Sequence, residues 1–222
     1  MAEKDIVQPN PLAPRIEQSP SRSESAREEV AGVRTRKILD GLTAALADHG
    51  YDDTRITDIV GLAGVPRPTF YELFESKDQC FAVAYSEGVE RLAAAIEEAI
   101  PAKADWPEQV SAGLAAGLEF LAASPALAHL LLVEALAASR PVRLEHERSL
   151  QRLAVALRPP AQAADVPEEA AWLLAGGLTS LLAGRVLAGE AERLPEAHVL
   201  LLDYVLASSP PATGHPARDW RA

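Results

Sequence analysis

The positions of the prolines constrain the fold more than any other feature of this sequence. None of the 17 prolines lies between residues 21 and 65 or between residues 69 and 100. Later ones, such as Pro125, Pro141 and Pro195, stand where a new amphipathic run begins. Proline is tolerated in the first turn of a helix but breaks a helix interior. The pattern therefore predicts long helices separated by short breaks.

Composition also favours an all-α fold. Alanine and leucine dominate, aromatic residues make up 5% of the 222 residues, and β-branched residues form no alternating runs. These are the preferences of helices rather than of strands. Hydrophobic residues make up 48% of the chain, which is enough to bury a sizeable core. We expect an all-α protein of about nine helices.

Cysteine content and the absence of an apolar leader favour the cytoplasm. A single cysteine, Cys80, excludes an internal disulfide framework. The polar, proline-rich residues 1–25 lack the apolar core of a secretory signal. The longest apolar stretch, Ala170 to Gly184, has fifteen residues between charged ones, which is short for a bilayer span. We expect this stretch to be a buried helix, and no membrane partner.

Net charge is −11, which at first disfavours a nucleic-acid partner. Residues 27–78, however, carry seven basic and ten acidic groups, so most of the negative charge lies elsewhere. Phosphate contacts depend on the charges within a Debye length, about 8–10 Å at ordinary salt. Any DNA-binding surface must therefore be a local patch on an acidic protein.

Composition divides the chain into four parts. Residues 1–25 and 208–222 are rich in proline and polar residues, and we predict a disordered arm and a disordered tail. Residues 26–79 contain three short helical patterns, and residues 80–207 contain the remaining helices. We expect a small N-terminal domain followed by a larger helical domain.

The first helix is predicted to run from about Arg27 to Asp48 with an apolar stripe on one face. Glycine after an amphipathic stretch is a common helix stop, so we expect the helix to end at Gly50. Asp53 or Thr54 would then cap the second helix through a side-chain oxygen.

The second helix carries apolar residues at i, i+3, i+4 and i+7, and Gly64 forms a tight turn after it. A short third helix is predicted from Arg67 or Pro68 to Phe74, with Phe70, Leu73 and Phe74 facing inward. Two helices joined by such a turn can place the second one in the major groove of DNA. This segment is therefore the candidate helix-turn-helix.

The fourth helix is predicted to begin with a capping box formed by Ser76 and Gln79. Proline and acidic capping signals then open five more helices. These are predicted near residues 107–123, 125–138, 141–157, 167–188 and 195–207.

Residues 34–81 resemble the DNA-binding domain of the TetR-type transcriptional regulators. The co-linear match consists of Ile38-Leu39, Gly50-Tyr51, Thr54, Asp58-Ile59, Ala63-Gly64-Val65, Arg67, Thr69-Phe70-Tyr71, Phe74, Ser76-Lys77-Asp78 and Phe81. The chain departs from the usual pattern at Pro66 and Arg55, where the family commonly has serine or threonine. The resemblance implies an N-terminal three-helix DNA-binding domain and a larger C-terminal domain for ligand binding and dimerisation.

Candidate DNA contacts surround the third helix. Arg67 can reach a guanine edge or a phosphate, and the hydroxyl of Tyr71 can reach a backbone oxygen. Thr69 offers a methyl group and a hydroxyl, and Lys77 lies in a first helical turn that attracts phosphate. Members of the resembled family commonly contact DNA at most of these positions. The full candidate set is Arg55, Thr57, Arg67, Pro68, Thr69, Tyr71 and Lys77.

The helix over the apolar run and the helix predicted over 195–207 form a candidate dimer interface. Two such pairs related by a two-fold axis would make a four-helix interface, and the resemblance implies the same arrangement. The alternative is that the pair covers the core of a monomer. Candidate interface residues are Trp172, Gly176, Thr179, Ala183, Val199, Leu202, Val205 and Leu206.

The larger domain is expected to enclose an apolar cavity, the usual form of a small-molecule site. Polar or aromatic residues that interrupt apolar stretches are candidate ligand contacts, although any single residue of this kind is more often a core or surface residue. They are Trp106, Phe120, His129, Glu134, His146 and Trp172. No metal-ligand spacing or cofactor motif is present in the sequence, so we expect neither a metal nor a cofactor.

The sequence therefore predicts a transcriptional regulator, most often a repressor in the resembled family. Its homodimer would bind double-stranded DNA at a palindromic operator and would be released by a small, largely apolar ligand. No nucleophile–base pair or phosphate-binding loop supports an enzyme. One alternative stays open: a helical small-molecule-binding or adaptor protein that does not bind DNA. The acidic balance and Pro66 favour that alternative, whereas Arg67, Thr69, Tyr71 and Lys77 oppose it.

Overall fold

A computed structural model describes residues 22–159 and 168–208. Within these ranges the chain forms nine α-helices and no strand, as predicted. The first helix begins at Arg22, earlier than predicted, so residues 22–25 of the expected arm are helical. The rest of the arm, and the tail after Ser208, lie outside the described residues.

The N-terminal unit consists of α1 (Arg22–Asp53), α2 (Ile56–Ala63) and α3 (Arg67–Leu73). The expected break at Gly50 is present, with φ 73° and ψ 172°, a combination that is essentially restricted to glycine. The N-cap of α2 is Arg55 rather than Asp53 or Thr54. Thr54 is instead buried, and its hydroxyl donates to the carbonyl of Gly50 at 2.7 Å, which closes the end of α1.

The turn between α2 and α3 has the predicted geometry. Gly64 adopts the left-handed conformation, with φ 64° and ψ 35°. Pro66 is the extended N-cap of α3, and Pro68 lies in the first turn, where its missing N–H costs nothing. Phe70 and Phe74 are buried as predicted, so α3 is anchored to α1 and α2 by one apolar face.

Ser76 caps α4 by accepting a hydrogen bond from the backbone N–H of Gln79 at 3.2 Å. The side chain of Gln79 accepts from the N–H of Glu75 rather than from that of Ser76, so the capping box is displaced by one residue. The remaining helices are α4 (Lys77–Ala99), α5 (Trp106–Ala122), α6 (Pro125–Ala137), α7 (Arg140–Ala156), α8 (Glu168–Leu187) and α9 (His198–Ser208).

Helix α6 is not regular along its length. It begins as Pro125–His129, continues through a π-helical turn, Leu130–Glu134, and ends as Ala135–Ala137. A 3₁₀ segment, Ala191–Ala197, precedes α9 and contains Pro195, so the last helix begins later than that proline predicts.

One continuous apolar core joins the N-terminal unit to the larger helical domain. Helix α8 contributes Leu174, Leu178 and Leu182 to this core, so the apolar run is a core helix as predicted. By length and composition Glu169–Leu187 could also cross a bilayer, but a buried helix of this kind has the same properties. Its opposite face is open to solvent, since Leu173 is 76% exposed.

Candidate nucleic-acid interface and ligand cavity

Helix α3 divides its residues between two faces. Arg67, Pro68, Tyr71 and Glu72 are exposed and line one shallow open surface, which we call the α3 surface. Thr69 lies with Phe70 on the opposite face and is only 8% exposed. Helical spacing turns Thr69 toward the core, so the predicted contact of its side chain with DNA stays a prediction that this position does not favour.

The two polar tips on the α3 surface are held together. The guanidinium of Arg67 donates to the hydroxyl of Tyr71 at 3.2 Å and lies 5.7 Å from the centre of its ring. The ring of Tyr71 in turn packs edge-on against Phe70, with centroids 5.6 Å apart. One end of the pair is thus fixed to the core while the polar ends face solvent, with Tyr71 50% exposed.

Arg55 and Thr57 are exposed at the beginning of α2. The backbone N–H of Arg55 donates to the carboxylate of Asp58 at 2.8 Å. This cap does not involve the guanidinium of Arg55. Both side chains are placed where a phosphate could be contacted from the start of a helix.

Lys77 has a different environment from the one predicted. Its ammonium donates to the carbonyls of Tyr51 at 2.5 Å and Thr54 at 3.0 Å, and lies 4.2 Å from the ring centre of Tyr51. These carbonyls belong to the end of α1, where a helix carries partial negative charge. Lys77 therefore joins α4 to the helix-turn-helix unit and has at most one N–H left for a phosphate.

Tyr51 is a functional candidate that the sequence did not single out, although it is among the residues that resemble the family. Its hydroxyl donates to the carboxylate of Asp78, and burial together with this bond raises the pKa of Tyr51. Its backbone N–H donates to the carboxylate of Glu134 at 2.7 Å, across 83 residues of sequence. Tyr51 thus contacts α4 and α6 from the end of α1.

The larger domain encloses an apolar cavity of about 360 Å³, a size typical of small-molecule sites. Helices α4, α5, α7 and α8 form its walls together with Leu132 of the π-helical turn. Its lining contains no charged side chain among the described residues, and its polar members are Trp106, Gln109 and Thr179. The hydroxyl of Thr179 is already bonded to the carbonyl of Ala175 at 2.9 Å.

Trp106 is the one predicted ligand contact that lines the cavity. Its indole N–H is buried and has no hydrogen-bond partner within the described residues. A buried donor without a partner is costly, so an acceptor on a bound molecule would satisfy it.

The other predicted ligand contacts do not line the cavity. Burial lowers the pKa of His146, whose Nδ1 is 3.0 Å from the hydroxyl of Tyr85. Phe120 lies beneath the guanidinium of Arg91, and Trp172 is half-buried on α8. An interruption in an apolar run does not show which helix face turns toward a void, so these ligand contacts stay predictions that the cavity lining does not include. The remaining two, His129 and Glu134, lie 3.5 Å apart on α6 and face the N-terminal unit.

Helices α8 and α9 carry the candidate dimer surface. Val199 is 66% exposed, as that role requires, but Val205 is completely buried and Thr179 lines the cavity. Val205 therefore lies on the core-facing side of α9, and the partly buried Thr179 lies on the cavity-facing side of α8. Trp172, Gly176, Ala183, Leu202 and Leu206 are half-buried. Exposed apolar residues that the sequence reasoning missed are Leu173, Leu200 and Tyr204.

Within residues 22–159 and 168–208, no group of three histidine, cysteine, aspartate or glutamate residues is arranged to hold a metal ion.

Comparisons with known proteins agree with the geometry of the N-terminal unit. Residues 38–84 match the family of bacterial regulatory proteins described as the tetR family. An HTH-type transcriptional repressor of Mycobacterium tuberculosis is 33% identical over 67 residues. That match covers 30% of this chain and 36% of the relative, so it spans about a third of the relative's length.

Solved structures extend the likeness to the whole helical fold. The fatty acid degradation regulator FadR from Bacillus halodurans has a TM-score of 0.69 at 19% identity and covers 78% of this chain and 94% of its own. FadR from Bacillus subtilis, solved in complex with stearoyl-CoA, has a TM-score of 0.67 at 18% identity and covers 78% of this chain and 98% of its own. The family match therefore falls on the helix-turn-helix unit, and these solved structures share the fold of the remaining helices with this chain.

Proposed function

We propose that the chain is a transcriptional repressor that binds an operator through α3 and is released by a small ligand. The observation that carries this proposal is the α3 surface, where Arg67, Pro68 and Tyr71 face solvent on a helix anchored by Phe70. The Mycobacterium tuberculosis relative, which matches over 67 residues, is itself named a transcriptional repressor. Such a protein would act on the chromosome, in the cytoplasm.

The pairing of Arg67 with Tyr71 suits base recognition. Arginine contacts guanine through two parallel hydrogen bonds, and a guanidinium held by Tyr71 loses less freedom when it does so. The hydroxyl of Tyr71, with Arg55 and Thr57 at the start of α2, would contact phosphates and set the register. Thr69 would support α3 from within, and Lys77 would keep α4 against the unit.

Dimerisation would follow from the exposed apolar faces of α8 and α9. Leu173, Leu200 and Tyr204 are 76%, 58% and 55% exposed, and Leu173 and Tyr204 line one surface recess. Exposed apolar patches mark interaction sites. A two-fold axis through this surface would present two α3 helices to half-sites about 34–36 Å apart on a palindromic operator.

The effector would be uncharged and mostly apolar, with one hydrogen-bond acceptor. The cavity offers apolar walls and the unpartnered indole N–H of Trp106. The Bacillus subtilis neighbour was solved with stearoyl-CoA, so molecules with an alkyl chain are a reasonable first set to test. Charged headgroups are disfavoured, since no lysine or arginine among the described residues lines the cavity.

DNA binding can be tested by fluorescence anisotropy with fragments from upstream of the protein's own coding sequence. We expect binding that weakens steeply as salt rises, because phosphate contacts release counterions. Arg67→Ala should weaken binding by about 1–3 kcal/mol, the usual value of an arginine–guanine contact. Arg148→Ala, which removes an exposed arginine from α7, is the matched control and should leave affinity unchanged. Salt-independent binding, or none to any fragment, would favour the adaptor alternative.

The dimer can be tested by light scattering after size-exclusion chromatography. Leu173→Glu places a charge on the exposed face of α8 and should shift the protein toward the monomer. Leu136→Glu is the matched control, since Leu136 is 62% exposed on α6, outside the two helices of the candidate interface. Equal masses for the two variants would show that α8 is not part of an interface.

A further inference from the structure

The π-helical turn of α6 contacts two sites at once. Leu132 lines the cavity, and Glu134, two residues later, accepts a hydrogen bond from the backbone N–H of Tyr51 at 2.7 Å. A π-helical turn within an α-helix holds an extra residue and is frequently found at functional sites. The five residues of this turn, Leu130–Glu134, therefore include one side chain in the cavity wall and one that contacts the end of α1.

Glu134 is an unusual residue for this position because it is only 7% exposed. A buried carboxylate is costly unless hydrogen bonds compensate for lost solvation. One oxygen accepts from the N–H of Tyr51, and the other lies 3.5 Å from Nδ1 of His129. Both oxygens of Glu134 thus have a neighbour in the folded chain, and the hydrogen bond from Tyr51 joins α6 to the N-terminal unit.

The partner of Glu134 lies at a bend in the N-terminal unit. Tyr51 directly follows Gly50, where the helical path of α1 is interrupted. The same residue donates its hydroxyl to Asp78 and offers its carbonyl to Lys77, both in the first turn of α4. A displacement of Glu134 would therefore act on the point where α1, α4 and the approach to α2 meet.

We infer that Glu134 transmits occupancy of the cavity to the DNA-binding unit. A molecule that displaces Leu132 moves the π-helical turn, and Glu134 then shifts or releases Tyr51, so that α1 to α3 change orientation. This inference rests on the proposed function and deepens it by naming the coupling residue. A ligand can shift the orientation only as far as it binds one arrangement more tightly than the other.

The orientation can be measured without DNA by placing spin labels on the full chain at Glu72→Cys, on α3, and Glu147→Cys, on α7. Both positions are exposed, whereas the native Cys80 is fully buried and would not be labelled. Pulsed electron paramagnetic resonance then reports the distance between the two helices. The cavity is filled either with 1-decanol, a neutral apolar probe, or by Leu114→Trp, which enlarges a lining residue on α5.

We expect both treatments to shift the distance when Glu134 is present. Glu134→Ala should broaden the resting distribution and abolish the shift, whereas Glu134→Gln, which keeps an acceptor oxygen, should retain it. Glu119→Ala removes an exposed carboxylate from α5 and should behave as the unsubstituted chain. In a DNA-binding assay, the change in affinity caused by decanol should fall from the 5–150-fold range typical of allosteric coupling to about onefold in Glu134→Ala.

An unchanged shift in a folded Glu134→Ala protein would overturn the inference, as would the absence of any shift with both treatments. If Glu134→Ala does not fold, the amide NMR signal of Tyr51 in the unsubstituted chain decides the question. That signal must move when decanol or Leu114→Trp fills the cavity, and a stationary signal overturns the inference. The distance and NMR measurements contain no DNA, so a failure of this inference can be distinguished from a failure of the proposed operator binding.

Discussion

Gly41 lies on α1 where α2 packs against it, and it permits an unusually close approach of the two helices. A β-carbon at this position would lie 2.6 Å from the carbonyl oxygen of Ile59 and 2.9 Å from the amide nitrogen of Ala63. Both atoms belong to the backbone of α2, so no change of rotamer can relieve the contact. Gly41→Ala must therefore push the two helices apart by several tenths of an ångström.

The cost of this substitution is the difference between two effects. Forcing extra volume into a packed interior typically costs about 1–3 kcal/mol, and contacts with backbone favour the upper half of that range. Alanine is better than glycine in a helix interior by about 0.8–1 kcal/mol, which offsets part of the loss. We therefore expect Gly41→Ala to reduce the free energy of unfolding by about 1–2 kcal/mol, or roughly 2–8 °C in Tm.

Gly32 is a matched control in the same helix. It is exposed, and a β-carbon there would meet nothing within 4 Å, so only helix propensity changes. Gly32→Ala should raise the free energy of unfolding by about 0.5–1 kcal/mol. Urea unfolding followed by far-UV circular dichroism measures both variants. If the two substitutions change stability in the same direction, the close approach at Gly41 does not limit the packing of α1 on α2.

Three further outcomes follow from single positions. Gly50→Ala should lower the free energy of unfolding by about 1–3 kcal/mol, because φ 73° with ψ 172° is strained for any residue with a β-carbon. The same urea assay measures this change, and an unchanged midpoint would contradict the expectation. Burial raises the pKa of Cys80 to about 12, so a thiol reagent at about pH 8 should modify it only on unfolding, and rapid modification of the native protein would be inconsistent with the packing. Burial lowers the pKa of His146, so below about pH 6.5 the unfolded chain binds more protons than the folded one. The free energy of unfolding is therefore highest above that pH and falls as the pH drops toward 5. His146→Gln, which can still bond to the hydroxyl of Tyr85, should make this decline smaller. Urea midpoints measured over a series of pH values test this.

Several parts of the fold could be predicted because they depend on neighbours in sequence. The break at Gly50 and the turn at Gly64 follow from the positive φ that glycine tolerates. The start of α3 follows from Pro66 and Pro68, which suit a first turn and no later one. The inward faces of Phe70 and Phe74 follow from helical spacing within a single short helix.

The site was predicted less completely because several roles depend on contacts between distant segments. Lys77 has the sequence context of a phosphate ligand, yet carbonyls of the α1 terminus occupy its ammonium. Thr69 lies beside exposed residues in sequence but faces the core. Val205 stands in an apolar run whose buried and exposed faces depend on which helix packs against it.

Glu134 shows the difference most clearly. By sequence it is an acidic interruption in an apolar run, and that pattern predicted a ligand contact. The tertiary structure decided instead that its carboxylate meets the backbone of Tyr51, 83 residues away. By itself the sequence determined the helices, their breaks and the helix-turn-helix, because capping, proline placement and periodicity act over a few residues. Which side chains line the cavity, join the two parts of the chain or remain exposed was decided by helix packing, since a neighbour in space determines which face of a helix is covered.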